Sequence, residues 1–197
     1  MFVRFPGSGP GLKARNDNII MPKIKEWKAV KRKKIFNKYG RGLEKVTFKM
    51  PNGSQADFFI GKSNQPVCVL ALTKDKKVIL AKQFRPGPNK LLLELPGGGM
   101  EKNETPLKAM ARELLEETGY RGKLKLVTRA YECAYTNTYR YCFIATDCVK
   151  IAEPKLEEYE YIEVVLLPLN KFRQLLKSGQ MTDIEAGYLG LDYLGLL

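Results

Sequence analysis

The sequence predicts an α+β sandwich, with strands gathered around a few helices rather than alternating with them one for one. Three observations point there. Asn52-Gly53 lies between two alternating runs, "LEKVTFKM" and "QADFFIG". Two nearly continuous apolar runs, "VCVLALT" and "KVILAKQF", flank Lys74-Asp75-Lys76. One strongly patterned helix then separates these strands from the later ones.

Residues 1–20, "MFVRFPGSGPGLKARNDNII", are interrupted by Arg4, Pro6 and glycines and lack the unbroken apolar core of a secretory signal, so they read as a flexible leader. Residues 21–62 read as a basic amino-terminal arm of strand character. Between residues 21 and 49, eleven Lys or Arg face only Glu26 and Glu44, and the density peaks at "VKRKK". Such a run suits a solvated face, an anionic ligand or nucleic acid. Within the arm, Asn-Gly between alternating strands is a strong hairpin signal. Residues 63–197 form the remaining domain. There the paired apolar runs predict buried core strands, and "LLLELP" predicts a short strand leading into Gly97-Gly98-Gly99, a triplet free to adopt positive φ and to approach a ligand closely. Thr105-Pro106 opens a helix as cap and first residue. Leu107, Met110, Ala111 and Leu114 make its apolar stripe, and Gly119 ends it. Strands follow at "KLKLVTRAYE", "TYRYCFIAT" and "YIEVVLL", then a helix near "LNKFRQLLKSG" and a last helix opened by the capping box Thr182-x-x-Glu185.

The chain has 197 residues, enough for one good core and an appended arm. It is 44% hydrophobic and 28% charged, and no apolar run approaches the roughly 18 residues that span a bilayer, so a soluble cytoplasmic protein without a membrane partner is expected. Cys68, Cys133, Cys142 and Cys148 form no C-x-x-C pair, and reduced thiols are expected. The absence of histidine removes the commonest general base and zinc ligand. Acid-base or metal chemistry therefore falls to carboxylates.

"ARELLEETGY" supplies them. Glu113 and Glu117 are four apart, Glu113 and Glu116 three apart, so all three share one flank of the helix. Like charges at these spacings are unfavourable, and Glu116 and Glu117 also meet the negative end of the helix dipole. A bound cation reverses the sign of each of these effects, and hard oxygen ligands suit Mg²⁺ or Mn²⁺.

Gly98, five residues, Glu104, seven residues, Arg112-Glu113-Leu114, one residue, Glu116-Glu117, one residue and Gly119-Tyr120 make up the pattern of the Nudix box. Tyr120 takes a place usually held by an aliphatic residue. With "EWKAVKRKKIF", "MPNGSQADFF", "VCVLALTKDKKVILAKQFRPG" and "LLLELPGGG", the chain resembles ADP-ribose and related nucleotide-sugar pyrophosphatases of the Nudix hydrolase superfamily. The resemblance implies an α/β/α sandwich with a mixed sheet. It also implies Mg²⁺-dependent hydrolysis of the diphosphate linkage of ADP-ribose or another nucleoside diphosphate sugar, and a homodimer formed through amino-terminal strands. By position it assigns Glu113, Glu116, Glu117 and the Gly97 carbonyl to metal, Arg112 to orienting the carboxylates, Glu104 to their surroundings, Gly98 and Gly99 to the substrate, and Arg85 to its phosphate. The helping base falls on Glu158 or Glu160 of "LEEYEYIEV", unless that stretch is only an exposed acidic turn. Where many ADP-ribose pyrophosphatases carry a Ser-Pro-Gly-like turn, this chain reads "YECAYTNTYRYCF". There Tyr135 is placed either to stack on a base or simply to pack. Two further functions fit the same residues: an RNA-directed Nudix enzyme, removing pyrophosphate or caps and gripping RNA through the basic arm, and a nucleotide-binding module without turnover.

Overall fold

A computed structural model describes residues 24–197. The leader at residues 1–20 lies outside the described residues.

β1 (Lys28–Lys38), β2 (Arg41–Lys49) and β3 (Gln55–Ser63) form an antiparallel three-stranded sheet. The hairpin expected at Asn-Gly joins β2 to β3, pairing Lys49 with Gln55 and Val46 with Phe58, with Gly53 at φ 88°. The basic run is strand β1. On one face Trp27, Phe48 and Phe58 stack edge-on or tilted, 5.4–6.3 Å apart. Val46 is the fully buried apolar residue of this sheet.

The second sheet runs β10-β5-β4-β9-β8, with β6 beside β5 and β7 beside β4. Its members are β4 (Pro66–Thr73), β5 (Lys77–Arg85), β6 (Lys90–Glu94), β7 (Gly97–Gly99), β8 (Tyr120–Tyr131), β9 (Tyr139–Lys150) and β10 (Glu163–Pro168). β4 and β9 are parallel while their neighbours pair antiparallel, so the sheet is mixed. The continuous apolar reading of β4 follows from its central place, buried on both faces. Val67, Val69 and Ala71 pack with Ala109, Met110 and Leu114 of α1 (Pro106–Thr118). Cys68, Leu70 and Leu72 pack with Phe172 and Leu176 of α2 (Leu169–Ser178) and Leu191 of α3 (Ile184–Tyr193). Helices therefore cover both faces, giving the α/β/α sandwich, and each fully buried Leu or Phe in it contributes roughly 1.5–3 kcal/mol. Cys68, Cys142 and Cys148 are buried free thiols, and Cys133 is an exposed one.

α1 starts and stops as its sequence implies. Thr105 Oγ accepts from the Lys108 amide, Pro106 follows it, and Gly119 adopts φ 75° as its amide donates to Leu115 O. The start of α3 departs from expectation: Asp183, not Thr182, is the cap residue, and no side chain caps the helix. The capping box fails because both of its members have other partners, Thr182 donating to Glu94 at 2.9 Å and Glu185 pairing with Arg140 at 2.6 Å.

Candidate active site

The glycine triplet is extended backbone, not a positive-φ turn, which corrects the first reason given for it. β7 pairs with β4, Gly98 opposite Val67, while the Gly97 amide turns to Glu117 Oε2 at 2.8 Å. Glycine is needed here because of crowding: a β-carbon on Gly97 would overlap the Val67 carbonyl of the neighbouring strand, and one on Gly98 would press on the Glu113 carboxylate. β4 thus fixes β7, and β7 receives the acidic flank of α1.

Arg112 lies in the midst of that flank. Its guanidinium donates to Glu104 Oε1 and Oε2 (3.1 and 3.0 Å), Glu113 Oε1 (2.9 Å), Glu116 Oε2 (3.1 Å) and the Gly99 carbonyl (3.1 Å). These charge-assisted bonds hold Arg112 more firmly protonated than usual, Glu104 contributing most, and the same bonds hold the Glu104 carboxyl below its ordinary range. Glu117 stands outside the Arg112 network and is 5% exposed. Burial pushes its carboxyl up to about 8, against the Gly97 hydrogen bond and with the help of Glu113 and Glu160. Burial likewise raises Glu113, with Arg112 opposing. Among the described residues no three acidic or sulfur side chains close around a single point, because the Arg112 guanidinium stands among Glu104, Glu113 and Glu116. The donors at hand are all oxygen, and two of them, Glu113 and Glu117, are buried carboxylates raised first by burial and then by neighbouring glutamates, an environment that a hard divalent cation relieves.

Arg85 reaches the same neighbourhood from β5. Its Nε and Nη2 both contact Glu94 Oε2 at 2.6 Å, and its charge acts on Glu117. Glu94, 1% exposed, also accepts from Gln83 (3.0 Å) and Thr182 (2.9 Å). The sequence reading missed Glu94. Its signal was a single carboxylate inside the apolar run "LLLELP".

The two loop glutamates separate. Glu160 is half-buried, its carboxylate accepts from the Glu157 amide at 3.0 Å, and its charge is felt at both Glu113 and Glu117. Glu158 is exposed. Tyr135 is 61% exposed on a loop tied to the other sheet, its carbonyl accepting from the Gly61 amide at 2.8 Å. Gly97, Gly98, Gly99, Glu104, Arg112, Glu113, Glu116 and Glu117 are thus brought together, and Arg85 and Glu160 act on the cluster through their charge. No hydrogen bond ties Tyr135 to it.

Helices on both sides of a mixed sheet, with a glycine strand set against a carboxylate-lined helix, make an α/β/α sandwich with an acidic cluster at one helix flank, and the comparisons say which family it belongs to. A NUDIX domain model matches residues 62–185, and the chain belongs to that family. It is 32% identical over 174 residues to the ADP-ribose pyrophosphatase of Bacillus subtilis, covering 87% of this chain and 94% of that one. It is 28% identical over 179 residues to the methanol dehydrogenase activator of Bacillus methanolicus, covering 89% and 96%. A crystal structure described as an ADP compounds hydrolase shares the fold, with a TM-score of 0.72 at 19% identity, over 88% of this chain and 98% of that one. The chain is a Nudix hydrolase, and the relatives it is 32% identical to include proteins described as ADP-ribose pyrophosphatase and ADP-sugar pyrophosphatase.

Proposed function

We propose that the chain hydrolyses the diphosphate linkage of ADP-ribose or a related nucleoside diphosphate sugar, releasing a nucleoside monophosphate and a sugar phosphate. The observation that carries this reading is the pair of buried, charge-crowded carboxylates Glu113 and Glu117 set against Gly97 and Gly98. Glu113, Glu116, Glu117 and the Gly97 carbonyl would hold Mg²⁺ or Mn²⁺, which when bound supplies positive charge against the diphosphate oxygens and makes a water more acidic. Arg112 keeps Glu113 and Glu116 in place, with Glu104 anchoring its far edge. Arg85, aimed by Glu94, grips a phosphate through its planar fork. Glu160, rather than the more exposed Glu158, takes the proton from the attacking water as the P–O bond to the leaving phosphate breaks.

The same reading includes a homodimer that uses β1 to β3, and a reducing cytoplasm, in keeping with the four free thiols. Among the described residues no helix is long and apolar enough to cross a membrane. A screen of ADP-ribose, other nucleotide sugars, dinucleotides and triphosphate RNA, with product identification, tests the assignment. Nucleoside monophosphate plus sugar phosphate is the expected pair of products. Turnover confined to RNA would overturn the substrate class.

A further inference from the structure

The Thr182 hydroxyl has one hydrogen to give and two carboxylates beside it. Its Oγ lies 2.9 Å from Glu94 Oε1 and 3.1 Å from Asp183 Oδ2, and both carboxylates are buried. Two ionised carboxylates, which only accept, cannot both be satisfied by one hydroxyl proton, so one of the pair must bring a proton of its own. The surrounding charges say which. Glu94 has a cation to itself, with Arg85 Nε and Nη2 and the Gln83 amide all on its Oε2. Asp183 shares its cation: Arg140 Nη1 lies 3.0 Å from Asp183 Oδ1 and 2.6 Å from Glu185 Oε1, and Arg140 Nη2 lies 3.4 Å from Glu132 Oε1. Three carboxylates around one guanidinium leave negative charge uncompensated in a place withdrawn from water. Burial accordingly pushes the Asp183 carboxyl up, with Arg140 and the Thr182 hydrogen bond opposing and Glu94 and Glu185 adding to the rise. The thiols of Cys68 on β4 and Cys142 on β9, and Arg85 on β5, also feel its charge. A proton on Asp183 Oδ2 satisfies every partner: Asp183 donates to Thr182 Oγ, Thr182 donates to Glu94 Oε1, and Glu94 Oε2 is left to the Arg85 guanidinium.

We propose that Asp183 is a positioning residue for the phosphate grip: held protonated beside Arg140, it leaves the Thr182 hydroxyl free to anchor Glu94, and through Glu94 it fixes the Arg85 guanidinium. The proposal rests on the reading in which Arg85 grips a substrate phosphate. Its test reads the proton and the grip separately. Aspartate is labelled selectively with ¹³C at the side-chain carboxyl, which leaves the raised glutamates of the acidic cluster silent, and the full chain is titrated by NMR in chelator. The Asp183 signal, identified by its loss in Asp183→Asn, is expected to titrate above those of exposed aspartates such as Asp57 and Asp75. In the same samples the Arg85 Nε–H signal should exchange slowly with water, and it should broaden in Thr182→Val, which keeps the shape of the side chain and takes away the hydroxyl. In a kinetic arm, KM for ADP-ribose should rise as the pH climbs through the Asp183 titration, because the neutral form present below it is the one that frees Thr182 for Glu94. Asp183→Asn, whose amide donates at every pH, should abolish that rise. Thr182→Val should raise KM about tenfold with a smaller change in kcat, as loss of one hydrogen bond implies, and Thr182→Ser should restore it. An Asp183 signal that titrates with the exposed aspartates, an unaltered Arg85 Nε–H signal in Thr182→Val, or an unaltered KM there overturns the proposal. Hydrolysis of no nucleotide sugar would sink the proposed function, while the two NMR signals would still decide whether Asp183 sets Arg85.

Discussion

Glu117 is the residue at which stability and the proposed chemistry pull in opposite directions. Its carboxyl titrates near 8 in the folded, metal-free chain and near 4.5 when unfolded, so the folded state holds a proton that the unfolded state releases between those values. Stability of the metal-free protein should accordingly fall as pH rises from about 4.5 to about 8, each unit of separation being worth roughly 1.4 kcal/mol. Glu117→Gln keeps an oxygen for the Gly97 amide and removes the charge. Its melting temperature in chelator should be equal to or above that of wild type at pH 8, with the pH slope flattened, while hydrolysis with Mg²⁺ drops by orders of magnitude. Calorimetry across pH, paired with a phosphate-release assay, checks both halves, and a destabilised yet fully active variant would reverse the reading. Glu94 offers a second contrast, because it acts through Arg85. Glu94→Gln removes the negative charge that holds two guanidinium nitrogens on one carboxylate oxygen, so KM for the nucleotide sugar should rise by about tenfold with a smaller change in kcat. A fall in kcat alone would mean that Arg85 does not grip the ground-state substrate.

At the scale of elements, α1 is the part most legible in the sequence. The Thr105-Pro106 start, the apolar stripe and the Gly119 stop are local signals, and local backbone chemistry decides them. Gly119 has little room for change: it sits at φ 75°, and a β-carbon there would overlap the Ala152 carbonyl. Gly119→Ala should therefore cost about 1–2 kcal/mol for the left-handed backbone and more for the overlap, lowering the urea midpoint without changing the slope. What the sequence hid was set by distant partners. The parallel pairing of β4 with β9 joins residues some seventy positions apart, such as Val67 and Tyr141, and nothing in either strand names the other. The capping box at Thr182 and Glu185 was a valid local pattern overruled by Glu94 and Arg140, which arrive from β6 and β9. The glycine triplet stands out in the sequence, but the need for glycine comes from elsewhere: from the Val67 carbonyl of β4 against Gly97 and from the Glu113 carboxylate of α1 lying over Gly98.

The whole molecule is two sheets of unequal strength. The sandwich carries both hydrophobic clusters, whereas the sheet of β1 to β3 fully buries Val46 and leaves Trp27, Val30, Phe36 and Phe59 about half exposed. It is tied to the sandwich by the chain between Ser63 and Pro66 and by a few polar latches. Ser63 and Gly61 bond to Thr138 and Tyr135, and Asn64 holds Gly40. Regions with few buried apolar contacts open first. In a monomer, the amides of Lys28–Ser63 should thus exchange hydrogen through a partial opening of lower free energy than global unfolding, while β4 and β9 exchange only globally. The proposed homodimer would make this dependent on concentration, since a partner seated on β1 to β3 would stabilise that sheet by mass action. Native-state hydrogen exchange at two protein concentrations about a hundredfold apart separates the cases: protection of Lys28–Ser63 that rises with concentration while β4 and β9 stay constant is expected. Equal protection at both concentrations, with a monomeric mass in ultracentrifugation, would remove the dimer and leave the aromatic face of Trp27, Phe48 and Phe58 without a partner copy.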